Sequence, residues 1–394
     1  MKRIIGITIL LMLSAKVLFA QTYMDSTINS STKKILLGDK GLSIGSYGEA
    51  HYNAPIEQGK FRNGTADLHR VILFVGYKFN PKLQFFTEIE LEHVNQLAVE
   101  QAYINYSFNS AFNLKAGVLL IPMGTVNEFH EPTLFNGVER PFVDKYLIPT
   151  TWHEAGAGFH GLLKRASLKY QFYIVNGFKG YSSFAQFNGS NGLRNGRQAG
   201  SEAILRRPAF TGKLSFYGLK GLTLEGSAYY GKSESSLYDK VDRSDATAVA
   251  HADSSSVDIF MAGINFNYSV KGLQITGVGN YTVLGNTGAY NAFGSTDLAR
   301  ELFGYYGEIA YTIKLRKGGY PQLIPFVRYA HFNTHYRVED GISVNRANDR
   351  EVLTGGLGFQ ITPGTIVKMD YQWIKSAAQV KPTGLFNLGF GYWF

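Results

Sequence analysis

The 394-residue sequence contains no cysteine. That excludes disulfide scaffolds, thiolate metal sites, cysteine nucleophiles and a lipoprotein anchor. Charge is scarce: 18% of residues are Asp, Glu, Lys or Arg, against roughly 25% in an ordinary soluble domain. Apolar residues nevertheless reach only 45%. After Ala20 there is no apolar run of the roughly 18 residues that a transmembrane helix needs. Methionine is rare, with 6 residues, whereas Phe, Tyr and Gly number 28, 25 and 44. Aromatic and glycine enrichment favours strands over helices. A chain poor in charge yet not hydrophobic fits a barrel with one lipid-facing side and one wet side.

The first twenty residues read as an export signal. Lys2 and Arg3 form a basic start, Ile4 to Leu13 an apolar stretch, and Val17-Leu18-Phe19-Ala20 a cleavage region before Gln21. Removing residues 1–20 lowers the formal charge from +9 to +6. That excess is spread along the chain without the basic clusters of a nucleic-acid binder, so no nucleic-acid partner is expected. Residues 21–40 read as a short periplasmic lead, and 41–394 as one transmembrane β-barrel.

The barrel reading rests on period-two alternation. Over Leu83–His93, Leu83, Phe85, Thr87, Ile89 and Leu91 share one face, and Gln84, Phe86, Glu88, Glu90 and Glu92 the other. Carboxylates at alternate positions are costly in a dry core and against lipid, but tolerable facing water. The segment His69–Phe79 sets Val71, Leu73, Val75, Tyr77 and Phe79 against Arg70, Ile72, Phe74, Gly76 and Lys78. Similar segments recur near 168–174, 210–216, 222–230, 305–314 and 367–373, and aromatics cluster near their ends.

Connections alternate in length. Short ones fall at Asn80-Pro81, Asn109-Ser110, Arg165-Ala166, Lys220-Gly221, Lys271-Gly272, Arg316–Gly319 and Pro363-Gly364; long ones at roughly 53–66, 123–152, 176–205, 232–255, 285–300 and 333–350. Short periplasmic turns and long extracellular loops are the asymmetry of outer-membrane barrels. Segments of the roughly 9–11 residues that cross a bilayer give an antiparallel all-β barrel of about 16 strands, wide enough for an aqueous channel. Leu388, Phe390, Tyr392 and Phe394 alternate outward at the C-terminus. A final strand of this kind, ending in Phe394, resembles the signal read by the barrel-insertion machinery of the outer membrane.

Three stretches resemble the Gram-negative porins grouped with phosphate-selective porins O and P. They are Gly41-Leu42-Ser43-Ile44-Gly45-Ser46-Tyr47-Gly48-Glu49; His69 to Asn80 running on into Phe85 to His93; and His130-Glu131-Pro132 with Phe135-Asn136-Gly137-Val138-Glu139-Arg140-Pro141 and Ile148-Pro149-Thr150-Thr151-Trp152. The resemblance covers about 41–160 closely and is architectural beyond. It implies a pore-forming barrel, often trimeric, in the outer membrane of a Gram-negative bacterium. Phosphate selectivity would want an inward ladder of Arg and Lys, and Glu88, Glu90 and Glu92 stand there instead.

On alternation, the expected pore-lining cations are Arg70, Lys78, Lys115, Lys169, Lys213, Arg328 and Lys368, and the anions Glu49, Glu88, Glu90, Glu92, Glu225, Glu308 and Asp370. The balance is even, so no strong ion preference follows. Any one of these charges could instead be a salt-bridged wall residue, and a one-residue slip would reverse a strand. Loop 123–152 is the expected constriction, with Glu128, His130, Glu131, Glu139, Arg140, Asp144 and Lys145 among several prolines. The histidines look scattered, with no HExxH, so no metal or cofactor is expected. His93 is expected to face outward without a partner. No nucleophile motif occurs, and enzyme activity is not expected. Passive diffusion of small hydrophilic solutes or ions, including anions such as phosphate, is the leading function. A lipase-like barrel enzyme and a plugged structural or adhesive barrel are the rivals.

Overall fold

The computed structural model describes residues 41–394; the expected signal peptide (1–20) and lead (21–40) lie outside the described residues. Sixteen antiparallel strands close into one barrel. In order they are β1 (Gly41–Glu57), β2 (Thr65–Lys78), β3 (Leu83–Glu92), β4 (Gln96–Asn109), β5 (Phe112–Leu120), β6 (His153–Leu163), β7 (Leu168–Asn176), β8 (Pro208–Leu219), β9 (Leu222–Lys232), β10 (Asp258–Val270), β11 (Leu273–Gly285), β12 (Glu301–Tyr311), β13 (Gln322–Arg337), β14 (Asp349–Thr362), β15 (Thr365–Ser376) and β16 (Thr383–Trp393). Each pairs with its sequence neighbours, and β1 pairs with β16. Backbone bonds between Ser46 and Phe394 complete the seam. Closure leaves no strand edge unpaired, which a lipid surroundings requires.

One end of the barrel carries tight turns whose chemistry was visible in the sequence. Asn80 Oδ1 accepts from the backbone N–H groups of Lys82 and Leu83 at 2.9 and 3.0 Å, and Asn109 Oδ1 from Ala111 and Phe112 at 2.8 and 2.9 Å. Side-chain acceptance of this kind is why asparagine favours turns. Lys271 and Gly272 hold φ of +48° and +91°, both positive as a type I′ hairpin demands. The other end carries the long connections. Two expected loops are shorter than anticipated: β1 runs on to Glu57 and β2 resumes at Thr65, while β13 runs to Arg337 and β14 resumes at Asp349. Polar residues continue the strands past the apolar belt there, so hydrophobic alternation does not mark their ends.

Outward positions form an apolar surface. Leu73, Ile104, Leu114, Leu214, Leu224, Ile264, Ile309, Val327, Leu353 and Met369 are exposed along successive strands. Leu388, Phe390 and Phe394 are exposed outward too, as alternation in the last strand predicts. Aromatics sit near the strand ends: Tyr106, Phe108, Phe112 and Phe159 chain together at centroid spacings of 4.8, 5.5 and 6.0 Å. Aromatic girdles flanking an apolar band are the outer surface of a membrane barrel. No helix among the described residues is long and apolar enough to cross a membrane.

The interior is not uniformly polar. Tyr47, Phe74, Phe86 and Tyr103 pack on the inner side of β1–β4, with Phe86 5.3 Å from Tyr103. Loop residues Val143, Leu147, Ile148, Trp152, Phe178 and Tyr290 extend this buried cluster toward the long-loop end.

Candidate functional site

The connection from β5 to β6, residues 121–152, lies against inward-facing side chains on opposite walls. Asn127 closes its base. Its Nδ2 donates to the carbonyls of Ile121 and Trp152 at 2.8 and 2.9 Å, and its Oδ1 accepts from Trp152 N–H at 2.7 Å. A short helix, α1 (Phe142–Tyr146), packs Phe142 and Tyr146 on Phe332 of β13 at 5.8 and 5.4 Å.

Four groups of wall charges hold the loop. On β1, β2 and β4, Tyr47 Oη and Glu100 meet His130 Nε2 at 2.8 and 3.1 Å. Arg70 donates to the His130 carbonyl and pairs with Glu49 at 2.6 Å. On β8 and β9, Lys213 pairs with Glu128, lies 3.3 Å from Glu225 and donates to the Gly124 carbonyl at 3.2 Å. On β12 and β13, Arg328 pairs with Glu308 at 2.8 Å and donates to the Asn136 carbonyl at 2.6 Å. Asn136 Nδ2 donates to the other Glu308 oxygen at 2.8 Å. On β15, Lys368 donates to the carbonyls of Phe135 and Gly137 at 2.8 and 2.9 Å, and Asp370 accepts from Val138 N–H at 2.6 Å. Glu139 accepts from Asn53 at 3.0 Å and lies 3.1 Å from His51. The loop thus spans the interior, tied at both ends of its 124–139 stretch.

Local fields follow. Burial opposes the charge of Glu128, but the ammonium groups of Lys213 and Lys169, with hydrogen bonds from Lys213 and Gln171, hold it down at about 2. Asp144 is fully buried beside Tyr306. Burial outweighs its cationic neighbours Arg328 and Arg140 and pushes it up to about 7. In the connection between β7 and β8, Arg194 and Arg197 donate to loop carbonyls of Lys145, Pro149, Thr150 and Thr151. Arg197 is lowered to about 10, first by burial and then by the charges of Arg194 and Arg140.

The strand positions expected to line the pore differ in burial. Glu49, Arg70, Glu88, Glu90, Lys213, Glu308, Arg328, Lys368 and Asp370 are all less than 10% exposed. Lys78, Glu92, Lys115, Lys169 and Glu225 keep partial exposure. Of the loop residues, Glu128, His130, Glu139 and Asp144 meet the wall, Glu131 is buried, Arg140 is half-buried with an uncommitted Nε, and Lys145 is exposed.

Two expectations about histidine are corrected. His93 does not face outward from a strand: β3 ends at Glu92, and His93 turns back to Asp67 at 2.6 Å. The histidines are not all scattered: His51 stacks on His69 at 4.6 Å, and His69 meets His93 edge-on at 5.3 Å. Sequence reasoning also missed Glu100. The β3–β4 register shifts between Glu88 and Ile89, so Glu100 and Gln101 are both buried inward. A bulge breaks period two and leaves no composition signal. Asn127 was missed because a lone loop asparagine has no pattern.

No protein-family model matches the chain. A protein of Aquifex aeolicus (strain VF5), described only as an uncharacterized protein, is 31% identical over 363 residues, covering 87% of this chain and 78% of its own length. Solved barrels are similar in shape at low identity. OprB of Pseudomonas putida gives a TM-score of 0.58 at 14% identity over 92% of this chain and 96% of its own. An anion-selective porin of Comamonas acidovorans gives 0.55 at 11% over 90% and 100%. OmpT of Vibrio cholerae, an outer membrane protein solved in a trimer form, gives 0.52 at 10% over 90% and 100%. By the first of these likenesses the chain belongs to one family with the Aquifex aeolicus protein, and by the others that family has the fold of the outer-membrane porins.

Proposed function

We propose that the chain is an outer-membrane porin of a Gram-negative bacterium, passing small hydrophilic solutes or ions by passive diffusion. One arrangement carries this reading: a closed barrel, apolar outside, whose charged inner wall holds a long loop across the lumen. Such a loop narrows a channel without sealing a membrane-wide sheet, and the charges lining the remaining gap set what passes. No bond-making chemistry is required. Glu92, Lys115 and Lys169, with partial exposure, are the side chains best placed to meet the solute. The C-terminal strand through Phe394 supplies the insertion-machinery partner, bilayer lipids surround the apolar belt, and a homotrimer is the assembly.

A preference for anions of phosphate type is a second reading of the same site. Its support is the grouping of Arg140, Arg194 and Arg197, close enough for their charges to oppose one another. Planar-bilayer recording of pure refolded protein tests the channel, and reversal potential in a salt gradient tests the preference. Discrete current steps are expected; their absence, together with exclusion of small sugars from liposomes, would leave the plugged-barrel rival.

A further inference from the structure

At the long-loop rim, above the β1–β3 wall, three side chains meet that sequence alternation keeps apart. Two local departures bring them together. Between the pairs Glu49↔Arg70 and His51↔Asp67, one residue of β1 faces two of β2. This bulge sends Leu68 outward, 42% exposed, and lets His69 stack on inward-facing His51. The turn after β3 then carries His93 and Val94 at φ +50° and +69°, and His93 N–H bonds to the His69 carbonyl at 3.1 Å. As a result, Nδ1 of His93 and Nδ1 of His69 lie 2.6 and 3.4 Å from one oxygen of Asp67. One ligand atom from each residue falls within 4.8 Å of the others.

We propose that Asp67, His69 and His93 form a binding site for a borderline divalent transition-metal ion, Zn2+ above all, at the long-loop mouth of the barrel. Two imidazoles and one carboxylate suit Zn2+, Cu2+ or Ni2+, whereas Ca2+ and Mg2+ take oxygen sets. Tetrahedral Zn2+ bonds of about 2.0–2.1 Å set ligand atoms about 3.3 Å apart. The three side chains need move only on the order of an ångström to reach that geometry. All three remain partly open to water, with His93 the most exposed at 43%, so solvent can complete the coordination. An outer shell is present. Glu92 lies 3.9 Å from His93 Nε2, so a small side-chain shift would let it accept that proton and leave Nδ1 for the metal. His51, backing His69, is itself held between Glu49 and Glu139 at 3.3 and 3.1 Å. The bound ion would place positive charge directly over Glu92, on the way into the lumen. That effect on current rests on the channel reading; the coordination chemistry does not.

The test is Zn2+ titration by calorimetry of the full chain, refolded in detergent without a histidine tag, with Co2+ absorbance as a coordination signature. One Zn2+ per chain is expected, bound at least tenfold more weakly by His69→Gln and by His93→Asn. Asparagine tolerates the positive φ at the turn, so His93→Asn removes the imidazole while sparing the backbone. Heat-modifiable migration of both variants checks that the barrel has formed. In bilayers, Zn2+ added at the long-loop side should lower wild-type current and leave His93→Asn unaffected. Absence of stoichiometric binding by wild type, or equal binding by both folded variants, overturns the site. Binding without any current steps keeps the site and removes the channel reading; current steps without binding do the reverse.

Discussion

The inner wall has two kinds of charge. On β1, β2, β8, β12, β13 and β15, Glu49, Arg70, Lys213, Glu308, Arg328, Lys368 and Asp370 are buried and committed to partners in the loop or across the strand pair. On β5 and β7, Lys115 and Lys169 sit half-buried over aromatic rings, 3.9 Å from the Tyr103 centroid and 5.9 Å from that of Phe129. Among the described residues neither forms an ion pair. On the proposed channel reading, charges of the first kind hold the loop in place and charges of the second kind are left for the solute. The difference is one of desolvation: a buried pair is costly to break, whereas a wet ammonium is cheap to change.

This division predicts a graded series. The largest effect belongs to Lys213→Ala, which removes the buried ion-pair partner of Glu128. It should destabilise the barrel by about 3–5 kcal/mol in urea unfolding, the cost of orphaning a buried charge, and raise single-channel conductance by freeing the loop. Next comes Asn127→Ala, which deletes the three hydrogen bonds at the base of the loop. A loss of about 1–3 kcal/mol is expected, from buried groups left unsatisfied, with noisier open-channel current.

A pH series sharpens the comparison. Asp144 has its pKa raised to about 7, so its protonation favours the folded state. Its contribution is fully present below about pH 4, the unfolded carboxylate value, and is lost as pH rises through 7. Stability should therefore fall between pH 5 and 7 by up to about 1.4 kcal/mol per pH unit, and Asp144→Asn should flatten that slope. Glu128 runs the other way: its pKa is held at about 2, so its stabilisation is present above about pH 4 and is lost on acidification toward 2.

The smallest stability effects, and the clearest selectivity effects, belong to the uncommitted charges. Lys115→Gln and Lys169→Gln should shift the reversal potential toward cations while changing stability by no more than about 0.5 kcal/mol. Glu92→Gln should shift it toward anions. Neutralising Glu88 and Glu90 as well should add little, because both are buried.

Much of this architecture was legible in the sequence because its signals are local. Asparagine and glycine marked the turns, and alternation marked which face of each strand carried charge. Glu88 and Glu90 are buried and Glu92 is partly exposed. Their exposure was not legible, because it depends on where a loop some forty residues away comes to rest. The loop was recognisable by its length and charge, but its partners were not. Nothing near His130 names Tyr47, Arg70 or Glu100, and nothing near Glu128 names Lys213. The two bulges were also invisible. Each adds one residue to a strand without altering composition, and together they hid both Glu100 and the Asp67–His69–His93 cluster.

The central claim is that neighbouring side chains on one strand face different media. The absence of cysteine makes it directly testable with Leu114→Cys and Lys115→Cys, adjacent on β5. A charged, water-soluble thiol reagent should cut single-channel conductance for Lys115→Cys and leave Leu114→Cys unchanged. Modification of both, or of Leu114→Cys alone, would contradict the account.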